Sequence, residues 1–268
     1  MPTPRLKTLS FVATLIVLLS PSAAPPQSPA TAGEAFAVRD VMIPARDGVR
    51  LHAKIFVPKD QRGPLPIIMT RTPYGVANAA NTFRAYFKAL ADEGYIFVFE
   101  DIRGKFGSEG TFVMQRPARA QGDTKALDEG TDTYDTIEWL LKNVEPNNGR
   151  VGMLGVSYSG WTTIMAAIEP HPALKAISPQ ASPSDMWLGD DFHHNGAFRL
   201  SYGFEYAAMM EAGKDVQQFA FDRYDTYDWY LSLGPLANAN RKFLHEKIPT
   251  WNDYVTIPTT TRSGSGRR

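Results

Sequence analysis

Two periodicities take turns along the chain. From Val38 to Lys59 (VRDVMIPARDGVRLHAKIFVPK) apolar and polar positions alternate in two arms around Arg46-Asp47-Gly48. That is the pattern of two strands joined at a tight Asp-Gly turn. Ile67, Ile68 and Met69 in PLPIIMTRTPYG, and then YIFVFEDIRG, form unbroken apolar runs, the mark of strands covered on both faces. Between them NTFRAYFKALADEG, 81–94, sets Phe83, Tyr86, Phe87 and Leu90 at helical spacing and stops at Gly94, which predicts one helix. The segment GKFGSEGTFVMQRPARAQGDTKALDEG reads as loop. A helical period returns over 131–144, with Tyr134, Ile137, Leu140 and Leu141 on one side. VGMLGVS, GWTTIMAAIEP and Leu174–Ser178 then predict strand, helix and strand.

Apolar strands alternating with helices predict an α/β fold: a mixed, mostly parallel sheet, helices on both faces, and a hairpin in front. The alternation stops at about Ser182. From there aromatic and polar residues mix (MWLGDDFHHNGAFRLSYGFEYAAMM), the composition of a helical insertion or cap.

The first residues follow another pattern. Arg5 and Lys7 precede an apolar run, FVATLIVLL at 11–19, too short to span a bilayer. Small residues follow, including Ala30-Thr31-Ala32. An export signal over 1–32 is expected, cleaved after Ala32 or, less well placed before Pro25, after Ala24. The expected organisation is thus a signal at 1–32, a linker at 33–37, α/β core at 38–181, the start of a cap at 182–255 and an aberrant tail at 256–268. Export to the periplasm or medium follows, with no stable membrane insertion.

Composition narrows the chemistry. Lys+Arg and Asp+Glu balance at 28 each, which argues against a nucleic-acid partner. The absence of cysteine excludes disulfides and thiolate metal sites. Five histidines, 52, 171, 193, 194 and 245, are the whole stock of imidazole. Adjacent His193 and His194 do not share one ion readily and no third ligand is apparent, so no metal and no cofactor are expected.

The candidate chemistry centres on Ser157 in VGMLGVSYSGWTTIMAA. A serine between an apolar strand and a helix, with Gly155 two before it and Gly160 three after, fits the strained turn that presents a hydrolase nucleophile. Ser159 stands where G-x-S-x-G has its second glycine. The backbone N–H of Tyr158 is the first candidate oxyanion donor. The phenol of Tyr74, in the loop RTPYG after an earlier strand, is the second; a packed loop aromatic is the alternative.

RTPYG, EDIRGKFGSEG and GVSYSG occur in the order and spacing of the cocaine esterase and X-Pro dipeptidyl-peptidase group. NNGRVGMLGVSYSGWTTIMA, PHPALKA and LGDDFHHNGAFR bring the chain closer to the α-amino-acid ester hydrolases and glutaryl-cephalosporin acylases. The resemblance covers about Val38 to Val255. It implies an α/β-hydrolase fold, here incomplete, with a helical cap and a C-terminal jelly roll in the full pattern. It makes Ser157 the nucleophile and the Tyr158 N–H and Tyr74 hydroxyl the oxyanion hole. It assigns Asp191 to recognition of a substrate α-ammonium; a capping or solvated role for Asp190 and Asp191 is the alternative. Ser159 departs from the glutamate that the resemblance leads one to expect at that place. A small-molecule ester or amide is the implied substrate, β-lactam acylation or deacylation included, and full-length relatives are expected to be homo-oligomers.

None of the five histidines lies at a late strand-to-loop junction, where the base of such an enzyme belongs. The resemblance puts the acid, the base, the rest of the carboxylate cluster and the jelly roll beyond residue 268. Codons permitted for 257–267, read one frame over, spell a continuation with a histidine-proline, a tyrosine-aspartate, a tryptophan and basic residues that fits the family; a genuine basic tail is the alternative. A frameshifted tail is therefore expected. An X-Pro dipeptidase, a broad esterase, or an inactive binding product are the other outcomes this sequence allows.

Overall fold

The computed structural model describes residues 35–120, 122–184, 191–194 and 197–256. The expected export signal, both cleavage points, most of the linker and the tail from 257 lie outside the described residues, as does Asp190. The chain opens with β1 (Phe36–Pro44) and β2 (Arg50–Pro58), paired antiparallel in full register from Phe36↔Pro58 to Pro44↔Arg50. The turn between them carries Gly48 at φ 85°, a conformation that favours glycine. β1 starts at Phe36, two residues before the boundary expected at 38, because Phe36 is buried edge-on against Phe97 at 6.0 Å.

β3 (Leu65–Thr72), β4 (Ile96–Asp101), β5 (Asn147–Val156) and β6 (Leu174–Gln180) complete a six-stranded sheet of order β1-β2-β4-β3-β5-β6. β2 joins β4 antiparallel; β3–β4, β3–β5 and β5–β6 are parallel. The mixed, mostly parallel sheet expected from the alternation is the one observed.

The single helix expected over 81–94 is two, α1 (Ala79–Ala85) and α2 (Lys88–Glu93). The N–H of Phe87 reaches back to the carbonyl of Thr82 at 3.0 Å, one residue beyond the helical partner. The break lets the Phe87 ring turn into the sheet, where it stacks on Phe97 at 5.7 Å. Continuous helical spacing therefore misled, because burial of one aromatic outweighs one turn of regular hydrogen bonding. α3 (Glu129–Asn143) begins on a capping box between Asp128 and Thr131, and α4 (Tyr158–Ile168) follows β5. These two helices contribute Ile137, Leu140 and Ala166 to a core with Ile67, Met69, Val98 and Met153 from the sheet.

The cap begins with a two-residue hairpin, β7 (His193–His194) and β8 (Ala197–Phe198), which the sequence pattern does not announce. It continues as α5 (Leu200–Glu211), α6 (Thr226–Leu233), a helical turn at Ala237–Ala239 and α7 (Pro249–Thr256). Its aromatic core holds Phe204, Trp229 and Trp251 and reaches Tyr158 of α4. Lys105, fully buried in the loop after β4, ties the cap down. Its ammonium donates to the carbonyls of Met210 at 2.8 Å and Gly213 at 3.0 Å, where α5 ends. A cation at a helix C-terminus meets the open carbonyls and the negative end of the dipole. Among the described residues no helix is long and apolar enough to cross a membrane.

Candidate active site

Ser157 sits between β5 and α4 at φ 60°, ψ −123°. A non-glycine residue rarely holds that conformation, and the strain is characteristic of functional turns. Its own backbone N–H donates to Gln180 at 2.9 Å, which ties the turn to the end of β6. The flanking glycines have a steric cause. A Cβ on Gly155 would lie 2.2 Å from the Ser159 carbonyl oxygen, and one on Gly160 would lie 2.6 Å from that of Gln180. Only hydrogen fits at either place, and the turn is tight because of it.

Tyr158 is the first residue of α4, so its N–H has no partner within the helix and stands at the positive end of the helix dipole. Its side chain fixes that position. The buried phenol oxygen accepts from the Gln115 N–H at 2.8 Å, and the ring packs edge-on to Trp161 at 5.2 Å. Burial drives the Tyr158 phenol far above its ordinary pKa, so it stays neutral.

Tyr74 leaves the end of β3 on a loop anchored from beneath. Its N–H donates to the Thr72 hydroxyl at 3.1 Å. Deeper down, Arg71 is fully buried and donates to Glu100 at 2.5 Å, to the Glu129 carboxylate at 2.8 Å and to Thr133 at 3.0 Å. Burial works against that charge, but Glu100, Glu129 and Asp132 outweigh it and hold the guanidinium above its ordinary pKa. Burial in turn raises both glutamates.

The Tyr74 hydroxyl faces Ser157 and lies 2.8 Å from the hydroxyl of Tyr206 on α5. Burial raises the Tyr74 phenol, and hydrogen bonding with Tyr206 and Ser157 pulls it partly back. Asp191 is the nearby negative charge: its carboxylate hydrogen-bonds Tyr202, and its charge is felt at Tyr74. Burial, then the Asp191 charge, push the Tyr202 phenol up to about 12. Ser157, Tyr158, Tyr74 and Asp191, named from the sequence, thus converge on one place. Tyr206 and Tyr202 belong with them and were missed. Spacing of four puts both on one helix face, but nothing local in the sequence ties that face to Tyr74.

Ser157 itself is exposed. A cavity of about 330 Å³ lies beside the turn, lined by Thr72, Gly75, Thr82, Gly155 and Ser159 among others. Among the described residues no imidazole hydrogen-bonds Ser157. His52 is held between Asp101 at 2.7 Å and Asp40 at 2.9 Å, and His171 contacts Glu138 at 2.9 Å. His193 packs on the rings of Phe198 and Tyr254.

A sheet of this order carrying a strained strand–serine–helix turn defines an α/β-hydrolase architecture. The chain belongs to the X-Pro dipeptidyl-peptidase (S15) family, whose model matches residues 47–259. It is 34% identical over 176 residues to the cocaine esterase of Rhodococcus sp. (strain MB1 Bresler), spanning 65% of this chain and 28% of that protein. Its structure resembles that of an aminopeptidase from a marine sediment archaeon, Thaumarchaeota archaeon, with a TM-score of 0.82 at 38% identity. It also resembles that of an α-amino acid ester hydrolase, with a TM-score of 0.78 at 34% identity. These matches cover 92% and 93% of this chain and 42% of each of those chains, so the chain spans less than half the length of these relatives.

Proposed function

We propose that this chain carries the nucleophile and oxyanion hole of a serine hydrolase or acyltransferase that acts on esters and amides of α-amino acids. The supporting observation is the strained turn at Ser157 with the Tyr74 phenol facing its hydroxyl. Ser157 Oγ attacks the acyl carbonyl carbon, and the carbonyl π electrons move to oxygen. The resulting oxyanion meets the Tyr158 N–H and the Tyr74 hydroxyl, donors already in place before the reaction. Collapse expels the alcohol or amine and leaves an acyl group on Ser157. Water, or an amine such as a β-lactam nucleus, then takes that group.

The serine proton needs an acceptor. We infer that the histidine and its orienting acid come from outside the described residues, since no imidazole among them reaches Ser157. The names aminopeptidase and α-amino acid ester hydrolase both specify an acyl group with a free α-amino function. Asp191 is the carboxylate that would meet its ammonium, because a cation in a partly dry site needs a compensating charge. The family description favours an X-Pro dipeptidyl-peptidase as the second reading. Comparing phenylglycine methyl ester with a proline-containing peptide as substrates separates the two.

A fluorophosphonate probe with mass detection tests the core of the proposal. Slow labelling on Ser157, abolished in Ser157→Ala, is the expected result. Labelling at another residue refutes the nucleophile. Rapid labelling of Ser157 in the 268-residue chain refutes the external base.

A further inference from the structure

Tyr74 serves an oxyanion only if its one phenolic proton points toward Ser157. Tyr206 decides where that proton goes. The two hydroxyls lie 2.8 Å apart, and in a phenol pair at that distance one donates and the other accepts. If Tyr74 donates, its proton is spent on the cap. If Tyr206 donates, the Tyr74 proton stays available for another acceptor, and Ser157 is the other side chain that hydrogen-bonds Tyr74. Among the described residues the Tyr206 hydroxyl has no acceptor besides Tyr74. Its ring has little freedom, being stacked on Tyr202 at 5.7 Å and 13° and packed on Phe192 at 5.7 Å. The helix that carries it is held by Lys105.

We propose that Tyr206 is a positioning residue of the oxyanion hole: its hydroxyl donates to Tyr74 and so commits the Tyr74 proton to the oxygen that turns negative when Ser157 attacks. The proposal rests on Tyr74 being an oxyanion donor. It goes further in making a residue of the cap part of the acyl-transfer machinery. Burial holds the Tyr206 phenol far above its ordinary pKa, so its proton is present at any working pH. Donation in series strengthens each bond, because an oxygen that accepts one hydrogen bond releases its own proton more readily to the next acceptor. A cap displaced from the core would lose this arrangement, so the position of α5 and the strength of the hole are linked.

The test uses the 268-residue chain with [13Cζ]tyrosine and Tyr206→Phe, which keeps the ring and removes the donor. The Tyr74 resonance is identified by its loss in Tyr74→Phe, and its pH titration is followed by NMR. Tyr74 is expected to titrate at higher pH in Tyr206→Phe, since its phenolate loses a hydrogen-bond donor. An unmoved Tyr74 titration overturns the proposal whatever the activity. Phosphonylation of Ser157 gives the second arm. Tyr206→Phe should slow it roughly three- to tenfold, the net worth of one hydrogen bond. Tyr74→Phe should slow it roughly 10²–10³-fold, and the double variant should match Tyr74→Phe alone. A double variant slower by the full Tyr206 factor means that Tyr206 acts elsewhere, and overturns it too. A Tyr74→Phe chain labelled at the wild-type rate removes Tyr74 from the oxyanion hole, and the proposal with it. That outcome is told apart by a Tyr74 titration that still responds to Tyr206→Phe.

Discussion

Strands β4 and β6 lie in one sheet with β3 and β5 between them and have opposite surroundings. All six residues of β4 are buried; no residue of β6 is, and Lys175 through Ser178 are exposed. β4 has β2 on one side and β3 on the other, whereas among the described residues β6 has only β5. The difference shows where the site gets its rigidity. The carboxyl ends of β3 and β4 and the loop after β4 supply Arg71, Glu100, Asp101, Arg103 and Lys105, every one buried. From β6 the nucleophile turn takes one backbone hydrogen bond, the Gln180 carbonyl on Ser157. Substitutions on the β3/β4 side should therefore be felt throughout the molecule, and those on β6 hardly at all.

Arg71→Met should have the largest effect. It removes the one cation that hydrogen-bonds both Glu100 and Glu129, leaving only the weaker pull of Arg116 on Glu129, while Thr136 still donates to Glu100 at 2.6 Å. Breaking a buried ion pair by removing one partner costs about 3–5 kcal/mol. Denaturant unfolding at neutral pH measures it. A loss under 1 kcal/mol would mean the carboxylates can take up protons cheaply and the cluster is not what holds the Tyr74 loop.

Lys105→Met comes next. The thioether chain fills most of the lysine's volume but abandons the buried Met210 carbonyl, the part-buried Gly213 carbonyl and the ammonium's contact with the Phe112 ring at 5.1 Å. Leaving buried polar groups without partners costs about 1–3 kcal/mol. The loss should be uneven. Hydrogen exchange is expected to quicken in α5 and leave β4 protected; equal quickening in both would show that Lys105 does not act through the cap.

How much of this was legible beforehand follows the distance over which each interaction acts. β2, β4 and the Ser157 turn could be read because their signals are local: alternation, an apolar run, glycines where a Cβ would strike a carbonyl. The role of the loop after β4 could not, since Lys105 meets Met210 and Gly213 more than a hundred positions on. Tyr206 escaped for the same reason. SYGFEYAAMM reads only as a cap helix until folding brings its tyrosine to Tyr74. The break at Tyr86–Phe87 was hidden by helical spacing that continues across it.

His52 gives a smaller, pH-dependent test on the β4 side. Burial opposes its charge, but hydrogen bonds to Asp101 and Asp40 outweigh that and raise its pKa above the ordinary 6.5. A raised pKa stabilises fully below the unfolded value and loses its effect as pH rises through the folded one. His52→Asn should thus cost most stability near pH 5.5 and progressively less above pH 7. At the acid end the neighbours oppose one another. Asp40 is lowered, first by its hydrogen bond to His52 and then by Lys54, and its contribution is lost only as pH falls below its ordinary 3.8. Asp101 is raised by burial and takes up its proton sooner. Thermal unfolding of both chains across pH 4.5–8.5 decides it; a difference that grows above pH 7 would mean His52 is held neutral.

The smallest effect is expected on β6, and its smallness is the point. Ile177 is 40% exposed, so Ile177→Lys removes little buried apolar surface. Exposed substitutions of this kind stay within about 0.5 kcal/mol. The edge, open among the described residues, is another matter. A strand with open N–H and C=O groups and an apolar face is a template for pairing with other chains, and a lysine there blunts it. Ile177→Lys should leave the unfolding midpoint in place while raising the concentration at which the chain aggregates, measured by light scattering on the same samples. A stability loss comparable to that of Arg71→Met would show that β6 is covered in solution and that the contrast between the two strands is not a property of the protein.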